Sequence, residues 1–310
     1  MYKKSLLFVE SPLQLLNAYE AICYFKLHDY RVIVRLSGQE QNDKQIKNLI
    51  KILNINNVNY ITIRVKNRKL IDYYHLFINS FKYYFKNVDK VFIGNYDSGF
   101  FKLLLKQFKK SKIILLDDGT KTLTIQKQFS ENNFYNMFTM YDIKPVGKQT
   151  IYKNNYDHIF NMLQKHEIKK REYILFLGMK LSELNIIDEK DYIYFLNKIA
   201  NFYSNKSIIY IPHRGESINK LKIIEKYISN ISIKYLNYPV ELYGLYEQEI
   251  PASVVSFYST ALLTMKNIYK VEVNSFKFNY NDSIYKDTID EVYKYYENYM
   301  LVKYLKNEAN

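Results

Sequence analysis

Residues that staple or break a chain are scarce here: one cysteine, five prolines and eight glycines in 310 residues. A single thiol, Cys23, excludes an internal disulfide and fits a reducing compartment. It falls within an apolar helical pattern, where it is expected to be buried filler and not a nucleophile. Long apolar runs are also missing. Met1 to Lys4 followed by Ser5 to Val9 has the outline of a signal peptide, but Glu10 and Pro12 cut the run to the length of a strand. No stretch approaches the roughly 18 apolar residues that read as a membrane span. Histidine, cysteine and acids nowhere cluster with metal-ligand spacing, so metal independence is expected. Zinc-finger, basic-zipper and RNA-recognition signatures are lacking too.

Positive charge is plentiful. Lysine plus arginine number 45 against 31 acids, a formal charge of +14, which favours anionic partners such as nucleotides, lipid headgroups or acidic glycolipids. Nucleic acid suits the same charge, but the basic residues are spread through the whole chain, so no nucleic-acid partner is expected. The expected location is cytoplasmic, with the charge holding the protein against the inner membrane face.

Short apolar runs alternate with amphipathic stretches, the pattern of βαβ units and a parallel sheet. Expected strands are Ser5–Val9, Arg31–Leu36, Asn59–Val65, Lys90–Ile93 and Lys112–Leu116, with helices over Leu13–Lys26, Asp43–Leu53, Leu70–Phe85 and Ser98–Lys109. The aromatic clusters from Tyr73 to Phe85 have helical spacing and are expected to pack into the core. After a polar stretch from Lys148 to Lys170, a second series predicts strands at Tyr173–Leu177, Ser207–Ile211, Ile231–Leu236, Ser253–Phe257 and Lys270–Asn274. Helices are expected over Glu189–Tyr203 and Ile218–Ile228, and a last amphipathic helix over Thr288–Tyr304. The scarce Gly119, Gly178, Pro212 and Gly215 all fall where a strand breaks into a loop, where backbone turns sharply or approaches a ligand.

Three segments at expected strand ends carry chemistry: Leu115-Leu116-Asp117-Asp118-Gly119-Thr120, Ile211-Pro212-His213-Arg214, and Ser256 to Lys266. Together they resemble bacterial sialyltransferases, most closely glycosyltransferase family 52, the lipooligosaccharide sialyltransferases, with kinship to the polysialyltransferases. The serine segment carries most of the likeness, and the Ser11-Pro12-Leu13-Gln14 loop extends it. The resemblance implies a GT-B fold, an α/β arrangement of two Rossmann-like domains facing a central cleft. It divides the chain into an acceptor-side domain over 1–160, a CMP-donor domain over 161–285, and a C-terminal helix in 286–310 crossing back to the first.

What it implies for chemistry is inverting transfer of sialic acid, or a related nonulosonate, from a CMP donor to a glycan such as lipooligosaccharide, without a cofactor. Polysialyl transfer in capsule synthesis is the nearest alternative, a UDP-sugar epimerase a more distant one, and a basic nucleic-acid-binding protein the alternative from outside enzymology. Asp118 is the expected base, with Asp117 orienting it or binding sugar hydroxyls, and Gly119 supporting the turn. Glu183, in the loop after the second domain's first strand, remains an alternative base. His213 as imidazolium would protonate or neutralise the departing phosphate. Arg214, Ser259 and Thr260 would bind that phosphate, and Glu241 the donor ribose. This chain reads Pro-His-Arg where the family usually has His-Pro. Relatives form dimers, so the resemblance leaves room for a homodimer.

Overall fold

The computed structural model describes residues 4–64, 68–82, 87–280 and 284–305. The chain forms two compact units. One takes in the chain up to Ile159 together with Asn237–Pro239, and the other takes Phe160–Leu236 and the chain from Val240 on.

The first unit is built on β1 (Lys4–Val9), β2 (Tyr30–Leu36), β3 (Val58–Thr62), β4 (Val88–Ile93), β5 (Ile113–Leu116), β6 (Asn136–Thr139) and β7 (Ile151–Lys153). They form one sheet in the order β3-β2-β1-β4-β5-β6-β7, and every pairing is parallel. The connecting helices are α1 (Pro12–Tyr24), α2 (Glu40–Ile52), α3 (Leu70–Phe81), α4 (Gly99–Leu105) and α5 (Lys121–Lys127), followed by α6 (Asp157–Leu163) at the unit's end. The central strands are continuous apolar runs because both faces are covered. Leu6, Phe8, Val91, Ile93, Ile113 and Leu115 pack with Phe101 and Leu104 of α4 in one buried cluster.

The second unit repeats the plan. Its strands are β8 (Lys169–Leu177), β9 (Ile208–Ile211), β10 (Ile231–Ile233), β11 (Glu249–Ser256), β12 (Glu272–Phe278) and β13 (Leu301–Leu305). Its sheet runs β10-β9-β8-β11-β12-β13, again all parallel. The helices are α7 (Glu189–Phe202), α8 (Ile218–Tyr227), α9 (Tyr243–Glu247), α10 (Ala261–Tyr269) and α11 (Lys286–Tyr296). Aromatic rings dominate its core: Phe176 stacks on Tyr210, and Phe257 meets Phe176, Tyr192 and Phe278 edge-on.

In both sheets the strand order reverses once, between β1 and β4 and between β8 and β11. Open parallel sheets bind ligands beyond the carboxyl ends of the strands at that reversal. Two places in the chain, one per unit, therefore qualify before any side chain is considered.

Four sequence expectations are corrected. The final stretch is not one helix crossing back to the first unit: α11 ends at Tyr296 and β13 adds a sixth strand to the second sheet. Tyr293 and Tyr296, fully buried, donate from their hydroxyls to the carbonyls of Phe276 and Ser259, which ties α11 to that unit. Strands β6 and β7 were not expected, because four and three residues are too few to set a periodic signal. Tyr73, Tyr74 and Phe77 lie on the surface of α3 instead of in the core. Positions 83–86 of that aromatic stretch, like Val65 of the expected third strand, lie outside the described residues. Cys23 is half-buried on α1, not fully enclosed.

Candidate active site

In the first unit the site starts from α1. Ser11 caps this helix by accepting the Gln14 N–H at 3.3 Å, and Pro12 occupies its first turn. The cap orients Gln14, whose Nε2 donates to Asp118 Oδ1 at 2.7 Å and whose Oε1 accepts the Glu10 N–H at 2.9 Å. Gly94, just past β4, makes room for that side chain, since a Cβ there would lie 2.5 Å from Gln14 Oε1. Asp118 is thus presented at the end of β5 by a residue from the beginning of the chain. It is half-buried, and burial pushes its carboxyl up despite the Gln14 bond, with the nearby charges of Glu10 and Asp97 adding to the rise. A carboxylate moved towards neutrality is a better proton acceptor than a solvated one.

Adjacent Asp117 has a different task. It is fully buried, its carboxylate accepts the Thr139 hydroxyl at 2.6 Å and the Met140 N–H at 2.7 Å, and its carbonyl accepts from Asn17 at 3.0 Å. Burial pushes it up to about 6. The expectation that it binds sugar hydroxyls does not hold, because a side chain with no exposed surface cannot meet a substrate. It ties β5 to the loop after β6. Gly119 follows at φ +69°, a left-handed turn that a side chain would strain.

A polar network beside the β1/β4 reversal was missed from sequence. Glu10 pairs with Arg35 at 2.6 Å and accepts from Asn95 at 2.7 Å, and Arg35 reaches the Ile63 carbonyl at 3.1 Å. The signal was present: an arginine inside the apolar run of β2, with 7% of its surface exposed, requires a partner.

In the second unit His213 lies on the loop after β9. Its backbone N–H donates to Glu216 Oε2 at 2.6 Å, and its Nδ1 accepts the Gly215 N–H at 3.0 Å. The second bond leaves Nδ1 without a proton, so the neutral ring carries its hydrogen on Nε2. Burial first, and then the charges of Arg214 and Lys180, together lower its pKa to about 4, against a smaller opposing effect of Glu183. The ligand-free ring is therefore neutral near pH 7.

What holds this loop is a fully buried lysine. Lys220 Nζ lies 2.9 Å from Glu216, 3.0 Å from Glu183 and 4.1 Å from the centre of the Tyr192 ring. Tyr210 donates to Glu216 at 2.6 Å, and Tyr192 accepts the Met179 N–H at 3.2 Å. Glu183 also accepts the Ser217 N–H at 2.8 Å. Burial alone would raise the Glu183 carboxyl, but the bonds from Ser217 and Lys220 bring it below the ordinary value. Its oxygens brace the loops after β8 and β9, a different job from taking a proton. Gly178 is required beside them, because a Cβ there would fall 2.3 Å from Glu216 Oε2. Lys220, Glu216, Tyr192 and Tyr210 had no signature in the sequence beyond ordinary helix and strand positions.

At the β8/β11 reversal Ser256 is fully buried and donates to the Leu177 carbonyl at 2.7 Å, which makes it a tie between strands. Ser259 and Thr260 open α10, with Ser259 Oγ accepting the Ala261 N–H at 3.3 Å. Glu241, with 7% of its surface exposed, packs against α10 and accepts the Thr264 hydroxyl at 3.1 Å. Burial pushes its carboxyl up. The structure thus gathers Glu183, His213 and Arg214 around the ends of β8 and β9, and Ser259, Thr260 and Glu241 around the start of α10.

Comparison with known proteins follows the same lines. The family model described as alpha-2,8-polysialyltransferase (POLYST) matches residues 5–276. No curated protein gives a significant sequence match. Among solved structures, the UDP-GlcNAc 2-epimerase of Methanocaldococcus jannaschii in complex with UDP-GlcNAc and UDP is similar at TM-score 0.61 and 12% identity, over 99% of this chain and 89% of that one. The Neisseria meningitidis UDP-GlcNAc 2-epimerase bound to UDP-GlcNAc is similar at TM-score 0.60 and 11% identity, over 97% and 95%. MurG from Acinetobacter baumannii gives TM-score 0.50 and 13% identity, over 98% and 86%. At such identities these neighbours show the fold alone, an α/β fold of the GT-B class with two Rossmann-like domains.

Proposed function

The chain belongs to the alpha-2,8-polysialyltransferase family, and from that premise we propose that it moves sialic acid, or a related nonulosonate, from a CMP donor to a surface glycan with inversion. It is a glycosyltransferase, so a nucleotide sugar and a glycan are its substrates. The family favours an acceptor that already ends in sialic acid over the galactose end of a lipooligosaccharide.

The observation that carries the reading is the state of His213. Burial is the main reason its pKa is low, and the charges of Arg214 and Lys180 act in the same direction, so an anion bound beside the ring would meet two cations. A CMP phosphate supplies that anion. Nε2–H then donates to it, Arg214 pairs with it, and the N–H groups and hydroxyls of Ser259 and Thr260 at the start of α10 complete the cradle. The phosphate's charge raises the imidazole pKa, so that the ring gains a proton, releases its Gly215 bond and acts as acid towards departing CMP. Asp118 removes the proton of the acceptor hydroxyl. That oxygen bonds to the anomeric carbon as the carbon–phosphate oxygen bond breaks on the opposite face, which inverts the centre. Glu241 accepts hydrogen bonds from the ribose hydroxyls. No metal is assigned to any step, and turnover is expected to survive a chelator.

The deciding experiment supplies CMP-sialic acid with lactosides that end in galactose or in α2,8-linked sialic acid. Transfer to the sialylated acceptor is expected, with CMP raising the melting temperature more than UDP. Neither transfer nor CMP release with any CMP-nonulosonate would sink the assignment, and preferential stabilisation by UDP would point to epimerase chemistry.

A further inference from the structure

Helix α3 carries its larger apolar face outward. Inward it sets Leu76 against the core, flanked by two polar residues, Asp72 and Asn79, with 1% and 4% of their surface exposed. Asp72 binds Arg64 Nη1 through both oxygens at 2.9 and 3.1 Å and accepts the Lys69 N–H at 2.7 Å, which fastens the start of the helix. At its other end Gln107 donates to the Asn79 carbonyl at 2.9 Å. Its outward side is apolar. Leu70, Ile71, Tyr73, Tyr74, Phe77 and Ile78 are between 39% and 89% exposed. The spacing i, i+1, i+3, i+4, i+7, i+8 sets them in one stripe along the helix. A soluble surface normally carries the opposite arrangement, and a contiguous apolar stripe marks a docking surface.

We propose that α3 docks this protein in the plane of an anionic lipid membrane. The charge around the stripe selects this occupant. Arg68 and Lys69 precede the outward residues and Lys82 follows them, while the one acid of the helix, Asp72, is buried and paired with Arg64. Basic flanks around an apolar, tyrosine-bearing stripe match a headgroup layer over acyl chains. A second copy on the same face would bring two sets of these cations together in a protein already at +14, which opposes self-association there. At 12 residues the helix is about 18 Å long, too short to span a bilayer, so it lies along the interface. The inference goes beyond the reaction assigned above and does not require it.

Flotation with phosphatidylcholine vesicles, with and without phosphatidylglycerol, tests the proposal on the full chain. The protein is expected to float with the anionic vesicles, less so at high salt, and Tyr74→Glu with Phe77→Glu to lower the bound fraction by about tenfold or more at unchanged melting temperature. A second pair, Arg68→Glu with Lys69→Glu, keeps the apolar stripe and should abolish the preference for anionic over neutral vesicles. Failure of the parent protein to float, equal flotation of either pair, or conversion of a lipid-free dimer to monomer by the first pair would each overturn the proposal.

Discussion

The two units share a strand order and differ in what they bury at the strand ends. The first buries acids: Asp117 is pushed up to about 6 and Asp118 in the same direction, while Glu20 of α1, which accepts the His158 and Ile159 N–H groups, reaches about 7. The second buries acids too, Glu216 and Glu241, with burial pushing both carboxyls up, but it also sets the buried cation Lys220 between Glu183 and Glu216 and keeps its histidine neutral beside Arg214 and Lys180. One scaffold therefore places raised carboxyls at the end of one sheet's strands and a histidine flanked by cations at the end of the other's. The sheet only fixes where side chains project, and the residues at those points set the potential.

The comparison is most easily broken at Lys220. Lys220→Met leaves Glu183 and Glu216 without their buried partner, and should cost about 3–5 kcal/mol of stability and detach the His213 loop. Chemical denaturation with the His213 imidazole followed by NMR checks this; an unchanged midpoint would show that the ion cluster is not what holds the loop.

Asp118→Asn comes next. It should cut turnover about 100-fold or more while CMP binding stays unchanged, because the proposed mechanism assigns the donor to residues of the second unit. Arg214→Ala should do the reverse in emphasis, weakening CMP binding first. Calorimetry with CMP alongside a turnover assay separates the two, and equal loss of CMP affinity in both variants would erase the division of labour.

The smallest effect is a contrast in pH response. Asp117 keeps its proton in the folded state up to about 6, whereas the unfolded chain loses it near the ordinary value of 3.8, so its contribution to stability falls as pH rises through that window. Glu20 extends the decline to about 7. His213 has the opposite sign: the unfolded chain takes up a proton below the ordinary 6.5 and the folded one only near 4, so its contribution falls as pH drops between them. Hydrogen exchange resolved by unit between pH 4.5 and 6.5 should show the first unit losing protection, by on the order of 2 kcal/mol, while the second, where His213 opposes the raised carboxyls of Glu216 and Glu241, changes less. Parallel slopes would contradict the contrast.

Much of the fold was readable because parallel strands with both faces covered need an apolar run, and β1, β2, β4, β5, β8 and β9 each contain one. Strand β13 was hidden because Leu301–Leu305 continues the amphipathic pattern of α11, and only pairing with β12 makes it a strand. The stripe on α3 was misread for a similar reason. Periodicity reveals that a helix has two faces, and it does not reveal which one turns inward.

The sequence by itself determined the alternation of elements, the strand-end positions of Asp118, His213 and Ser259, and the family, because these depend on local pattern and on short strings of residues. Only the tertiary structure decided that Asp117 is enclosed while Asp118 is presented, that Gln14 reaches Asp118 from 104 positions away, and that Lys220 gathers Glu183 and Glu216. Burial and charge pairing are set by what lies nearby in space, and a chain that crosses its own sheet many times brings together neighbours that no local pattern records.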